Sequence, residues 1–101
     1  MRIVVKFQFE GIHQWEGCPY KDVSFLRFPH RHIFYVRAEK VVSHDDREIE
    51  IIRLKREMKS QFADGIRLGN KSCEMLAQEI KKEFGCDLVE VLEDNENGAI
   101  A

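Results

Sequence analysis

The chain opens on a two-residue hydrophobic period. Ile3, Val5, Phe7 and Phe9 fall on one side of an extended segment, and Val4, Lys6 and Gln8 on the other. That alternation predicts a half-buried strand. From Gly11 to Pro29 the punctuation of Gly11, Gly17, Pro19 and Pro29 predicts a long loop. Its aromatics, Trp15, Tyr20, Phe25 and Phe28, predict that the loop packs on something. The run His30–Val41 is rich in β-formers and reads as a second strand, with His30, His32, Phe34, Val36 and Ala38 on one face. Ser43-His44-Asp45-Asp46 is turn-like, and Asp45 or Asp46 is placed to cap a helix. The period then changes. Ile51, Leu54, Met58 and Phe62 recur at helical spacing, predicting a helix over about residues 47–62 that Ala63-Asp64-Gly65 ends. A second helix starts at Asn70 or Ser72. It lines one face with Cys73, Leu76, Ala77, Ile80 and Phe84, and stops at Gly85. Leu88–Leu92 is a third strand, followed by a polar turn at Asp94–Gly98 and a short last segment. The order β-β-α-α-β predicts an α+β fold, an antiparallel sheet with two helices packed on one face.

Size and charge narrow the function. At 101 residues the chain is one domain, residues 1–101, with a modest core. Self-association is a common remedy for so small a core. Sixteen basic residues against 18 acidic ones give a net charge of −2, without the basic excess of a nucleic-acid or membrane-surface binder. No apolar run approaches the ~18 residues of a membrane span, and Met1–Lys6 has no signal-peptide character. Three unevenly spaced cysteines, Cys18, Cys73 and Cys86, fit a reduced, cytoplasmic protein. Arg47, Arg53, Lys55, Arg56 and Lys59 crowd the first helix, but Glu48, Glu50 and Glu57 between them make an ion-paired, solvated face.

The strongest local chemistry is His30-Arg31-His32. In a strand, positions i and i+2 project to one side, so both imidazoles can meet one ion. Imidazole suits zinc, and a catalytic zinc needs a third protein ligand. His13 continues the odd-numbered face of the first strand. If the two strands pair, the loop returns His30 beside it. His44 lies beyond the far end of the second strand and is the weaker candidate.

Four segments resemble one known family in the right order. Phe7-Gln8-Phe9-Glu10-Gly11-Ile12-His13 resembles its first-strand motif. His30-Arg31-His32 resembles its His-Gly-His, and Asn70-Lys71-Ser72-Cys73-Glu74-Met75-Leu76-Ala77 its Asn-Pro-Thr-Ser-Glu-x-Leu-Ala. Val91-Leu92-Glu93-Asp94 resembles the Val-x-Glu-Thr that ends its third strand. The family is the 6-pyruvoyl-tetrahydropterin synthase and 6-carboxytetrahydropterin synthase group, whose domain is the T-fold. The resemblance implies a T-fold-like domain with zinc on His13, His30 and His32. It implies a pterin ring held by Glu93, whose carboxylate accepts two hydrogen bonds from a guanine-like edge. It also implies a dihydropterin substrate, a carbon–oxygen lyase reaction on the way to tetrahydrobiopterin or queuosine, and a homo-oligomer assembled through sheet edges.

The departures are equally specific. The family's catalytic cysteine lies four residues before the His-x-His, where this chain has Leu26. Cys18, farther upstream, is the only nearby thiol and the one candidate catalytic residue. The family's Asp-His pair between the helices is missing, because the short stretch Gln61–Gly69 holds no histidine. Two readings follow. One is a compact zinc-dependent pterin synthase with Cys18 or another group as base. The other is a binding module, of the kind expected from a viral genome or a repurposed paralogue, that sequesters or senses a pterin- or purine-like metabolite without the chemistry.

Overall fold

The structure is a computed structural model that describes residues 1–101. Five strands form one sheet: β1 (Arg2–His13), β2 (His30–Val41), β3 (Ile66–Gly69), β4 (Leu88–Glu93) and β5 (Asn97–Ile100). Two α-helices complete the α+β fold, α1 (Ile51–Ser60) and α2 (Cys73–Phe84). The strand order is β3-β1-β2-β4-β5. β1, β2, β4 and β5 pair antiparallel, whereas β3 runs parallel to β1, so the sheet is mixed rather than purely antiparallel.

The alternating pattern chooses the buried face. Val5, Phe7 and Phe9 of β1, Phe34, Val36 and Ala38 of β2, and Val89 and Val91 of β4 are buried together. Leu54 and Met58 of α1 and Cys73, Leu76, Ala77 and Ile80 of α2 close over them, so both helices cover the same face. Phe9 stacks on Phe34 at 5.3 Å and on Phe62 at 4.6 Å between ring centroids. Truncating a buried phenylalanine of this kind costs about 3–5 kcal/mol.

Several local expectations change. β1 extends to His13, because its pairing with β2 continues to the His13–His30 pair. α1 begins at Ile51 rather than near residue 47. Its cap is Glu50, whose carboxylate accepts from the N–H groups of Ile52 and Arg53 at 3.1 and 2.7 Å, so neither Asp45 nor Asp46 has that role. Arg47 at φ +52° breaks any helical continuation upstream. Of the two predicted starts for α2, Ser72 is the cap, its hydroxyl accepting the Met75 N–H, and Gly85 closes the helix at φ +59°. β3 escapes the sequence reading because its four residues are too few for a period. Its pairing is set instead by Gly65 N–H donating to the Glu10 carbonyl and by Gln14 N–H donating to that of Gly69. The aromatics of the long loop are largely exposed: Tyr20, Phe25 and Phe28 are 58–69 % accessible, and Cys18 is the loop's only buried side chain. No helix is long and apolar enough to cross a membrane.

Glycine is required where β5 crosses β4. A Cβ at Gly98 would overlap the Val91 carbonyl oxygen, a backbone atom that cannot swing aside. Gly98→Ala should therefore loosen β5 from β4 and destabilise the fold by about 1–3 kcal/mol. Chemical denaturation checks this, and an unchanged midpoint would refute the close approach.

Candidate metal centre

The three inward stripes of the sheet run past the end of the hydrophobic core and become polar. On β1 the stripe Val5-Phe7-Phe9 continues through Gly11 to His13. On β2, Ala38-Val36-Phe34 continues to His32 and His30. On β4, Val89-Val91 continues to Glu93. Strand register then brings these ends together. His13 pairs with His30, Gly11 with His32 and Phe34 with Glu93. The turn before α2 closes the near side, with Lys71, Ser72 and Cys73 beside the histidines around a cavity of about 600 Å³.

One donor nitrogen from each of His13, His30 and His32 lies within 4.8 Å of the others. Tetrahedral zinc with Zn–N bonds near 2.05 Å needs its donor atoms about 3.3 Å apart, so a small inward movement closes the site. The outer nitrogen of every ring is already engaged. His13 Nδ1 is 2.8 Å from the Lys71 carbonyl oxygen, His30 Nδ1 is 2.9 Å from that of Phe28, and His32 Nδ1 is 2.7 Å from the Asp94 carboxylate. Each of these partners only accepts, so Nδ1 carries the hydrogen in all three rings. In the neutral rings Nε2 is then a bare lone pair, as metal ligation requires. The Nε2 atoms of His13 and His30 are buried with no hydrogen-bond partner. An unsatisfied buried polar atom costs about 1–3 kcal/mol, and an ion between the rings removes that cost. These residues can hold a metal ion.

Glu93 stands against the same cluster. Its carboxylate oxygens lie 3.2 Å from His13 Nε2 and 3.5 Å from His32 Nε2. The first is close enough to feel the charge but too poorly aligned to count as a hydrogen bond. Burial of His13 pulls its pKa down; the Glu93 carboxylate and the Lys71 carbonyl pull it up, and the upward pull wins. Glu93 is held below the usual carboxylate range, chiefly by His13. Its anionic form therefore faces the cavity at neutral pH. Cys73, at the start of α2, has its thiol pushed up to about 12 by burial and then by the charges of Glu93 and Glu74.

Not every predicted residue arrives. Cys18 is 2 % exposed, points its thiol at the carbonyls of Tyr20 and Val23, and does not line the cavity. Leu26, four residues before His30, does line it, as do Trp15 and Met75. His44 lies at the surface beside Glu48, away from the cluster. Arg31 turns to the opposite face and pairs with Glu10 at 2.6 Å. Three contributors were not foreseen: the Lys71 carbonyl, the Phe28 carbonyl and Asp94. Asp94 sits in what reads as an ordinary polar turn, and only the β2–β4 register reveals its place beside His32.

No protein-family model matches this chain, and no curated protein matches it.

Metal titration of metal-stripped protein should load about one divalent ion per chain, read by cobalt(II) absorption. The double variant His30→Ala, His32→Ala should load none. Equal loading by both proteins would place the ion elsewhere. Cys73 should resist alkylation near pH 8, where a thiol with a pKa of about 12 is only about 0.01 % thiolate. Its rate should rise about tenfold per pH unit while the fold holds. Rapid labelling of Cys73 at pH 7, located by mass spectrometry, would contradict the buried, charge-raised thiol.

Proposed function

We propose that this chain is a zinc-binding pterin-site protein, related in design to the 6-pyruvoyl-tetrahydropterin and 6-carboxytetrahydropterin synthases, that binds its ligand without the family's thiol chemistry. The observation that carries the metal is the convergence of three imidazole nitrogens, with Nε2 of His13 and of His30 buried and unpartnered. Zinc suits three neutral imidazoles with an open fourth position. Bound there, it would supply a Lewis acid for a ligand oxygen.

The ring follows from Glu93. Its anionic carboxylate is a charged acceptor on the cavity wall beside the histidines, suited to the paired donors of a guanine-like edge in a pterin or purine. Trp15, Leu26 and Met75 supply apolar wall for a flat heterocycle. Two helices covering one face of the sheet support the T-fold-like reading.

Binding is favoured over turnover by what lines the cavity. Abstracting a proton from a pterin side chain needs a positioned base with a pKa near the working pH. Leu26 has no such group, Cys18 is sealed in its own loop, and Cys73 is held protonated. The 6-carboxytetrahydropterin synthase type of lyase remains the second reading, because Glu93 and the zinc ligands are the parts of that machinery this chain retains. Three unpaired, buried thiols support a reducing, cytoplasmic setting. The exposed outer face and outer edge of a small sheet support self-association.

The test is calorimetric titration of zinc-loaded protein with neopterin and with guanosine, alongside product analysis with dihydroneopterin triphosphate. We expect saturable binding of the pterin, weakened about tenfold or more in Glu93→Gln, and no product. Product formation would establish the lyase. Absence of binding by both heterocycles would overturn the pterin-site reading.

A further inference from the structure

The three histidines are held differently. His13 and His30 give their Nδ1 hydrogens to neutral backbone carbonyls, but His32 gives its own to a carboxylate. Asp94 is built for that contact. One oxygen lies 2.7 Å from His32 Nδ1, and the other accepts the Ile33 N–H at 3.0 Å. The Asp94 N–H donates to the Ile33 carbonyl at 2.7 Å, so the residue is pinned to β2 at three points. Asp94 and Asn95 adopt φ +53° and +59°, left-handed conformations uncommon for residues other than glycine. The hairpin between β4 and β5 thus turns so tightly that the residue after Glu93 comes back beside His32. In the motif that this segment resembles, the same position is Thr.

We propose that Asp94 is a positioning residue for the metal centre, forming a carboxylate–histidine–metal relay that fixes the His32 tautomer and aims its Nε2 at the ion. The inference rests on the metal reading of the site and adds to it the residue that tunes it. A carboxylate accepts the Nδ1 hydrogen and fixes the Nδ1–H tautomer, which aims the Nε2 lone pair inward. Its negative charge also raises the electron-donating strength of the ring, beyond what a carbonyl dipole gives.

The discriminating variant is Asp94→Asn. Asparagine tolerates the left-handed turn, and its carbonyl oxygen can still accept from Ile33 N–H. Its NH₂ then faces His32 Nδ1 and requires that nitrogen to accept. The ring hydrogen must move to Nε2, the atom that should hold the ion. Competition with a chromogenic chelator should show zinc or cobalt affinity falling about 10–100-fold, while the metal-free melting temperature shifts by no more than about 3 °C. Long-range ¹H–¹⁵N correlation spectra of the metal-free protein at high pH should show His32 as the Nδ1–H tautomer in the wild type and Nε2–H in the variant.

Equal metal affinity in the two proteins overturns the role of Asp94 while leaving the three-histidine site standing. A wild type that binds no metal overturns the metal reading; the tautomer spectra then decide the orienting role alone. An Nε2–H tautomer of His32 in the wild type overturns the inference without recourse to any variant, which covers the case of a variant that fails to fold.

Discussion

Register between β1, β2 and β4 is the constraint on which the rest depends. Strand side chains repeat every two residues, so a slip by one residue would send an entire stripe to the other face. The core enforces the pairing. Val5 lies opposite Ala38, Phe7 opposite Val36 and Phe9 opposite Phe34, with Val89 and Val91 completing the face. The same ladder, read onward, sets His13 against His30 and Glu93 one strand away. The polar cluster is positioned by hydrophobic packing that lies outside it. A slip would expose the phenylalanines and scatter the histidines in one event.

The end of the core is where the protein spends stability. Two imidazole nitrogens are buried without partners, and an anionic carboxylate stands half-buried against them. Each is unfavourable as an isolated group. Together they form a preorganised cage of lone pairs with a negative wall, which suits a cation. The backbone does much of the aiming, since the carbonyls of Lys71 and Phe28 fix two of the three rings. Side-chain identity at positions 71 and 28 matters little to that role, which is why no residue pattern marks it.

The cavity wall carries the carboxylates of Glu93 and Glu74 and several apolar side chains, while Cys18 is sealed in a loop and Cys73 is held protonated beside a carboxylate. The long β1–β2 loop does not fold Cys18 inward, because that side chain is the loop's own small core. Leu26 takes the position facing the histidines. The stretch Ala63–Gly69 contains β3, and Asp64 there accepts the Glu10 N–H at 2.9 Å.

Local pattern determined the strands that form the core, the presence of both helices, the Gly85 stop, and the side of each strand that carries His13, His30 and His32. These are local properties: a two-residue or 3.6-residue period and a turn residue act within a few positions of themselves. Tertiary structure decided what depends on distant partners. β3 is too short to show a period, and its parallel pairing comes from hydrogen bonds across more than fifty residues. Glu50 caps α1, where the local pattern offered two aspartates. Whether Cys18 reaches the cavity depends on how an irregular loop packs, which no period describes. Asp94 meets His32 only because β4 lies beside β2 and its turn adopts positive φ. The sequence therefore named the three histidines that converge, while the fold alone fixed their tautomers, their burial and the company they keep, because those properties come from neighbours that chain order does not specify.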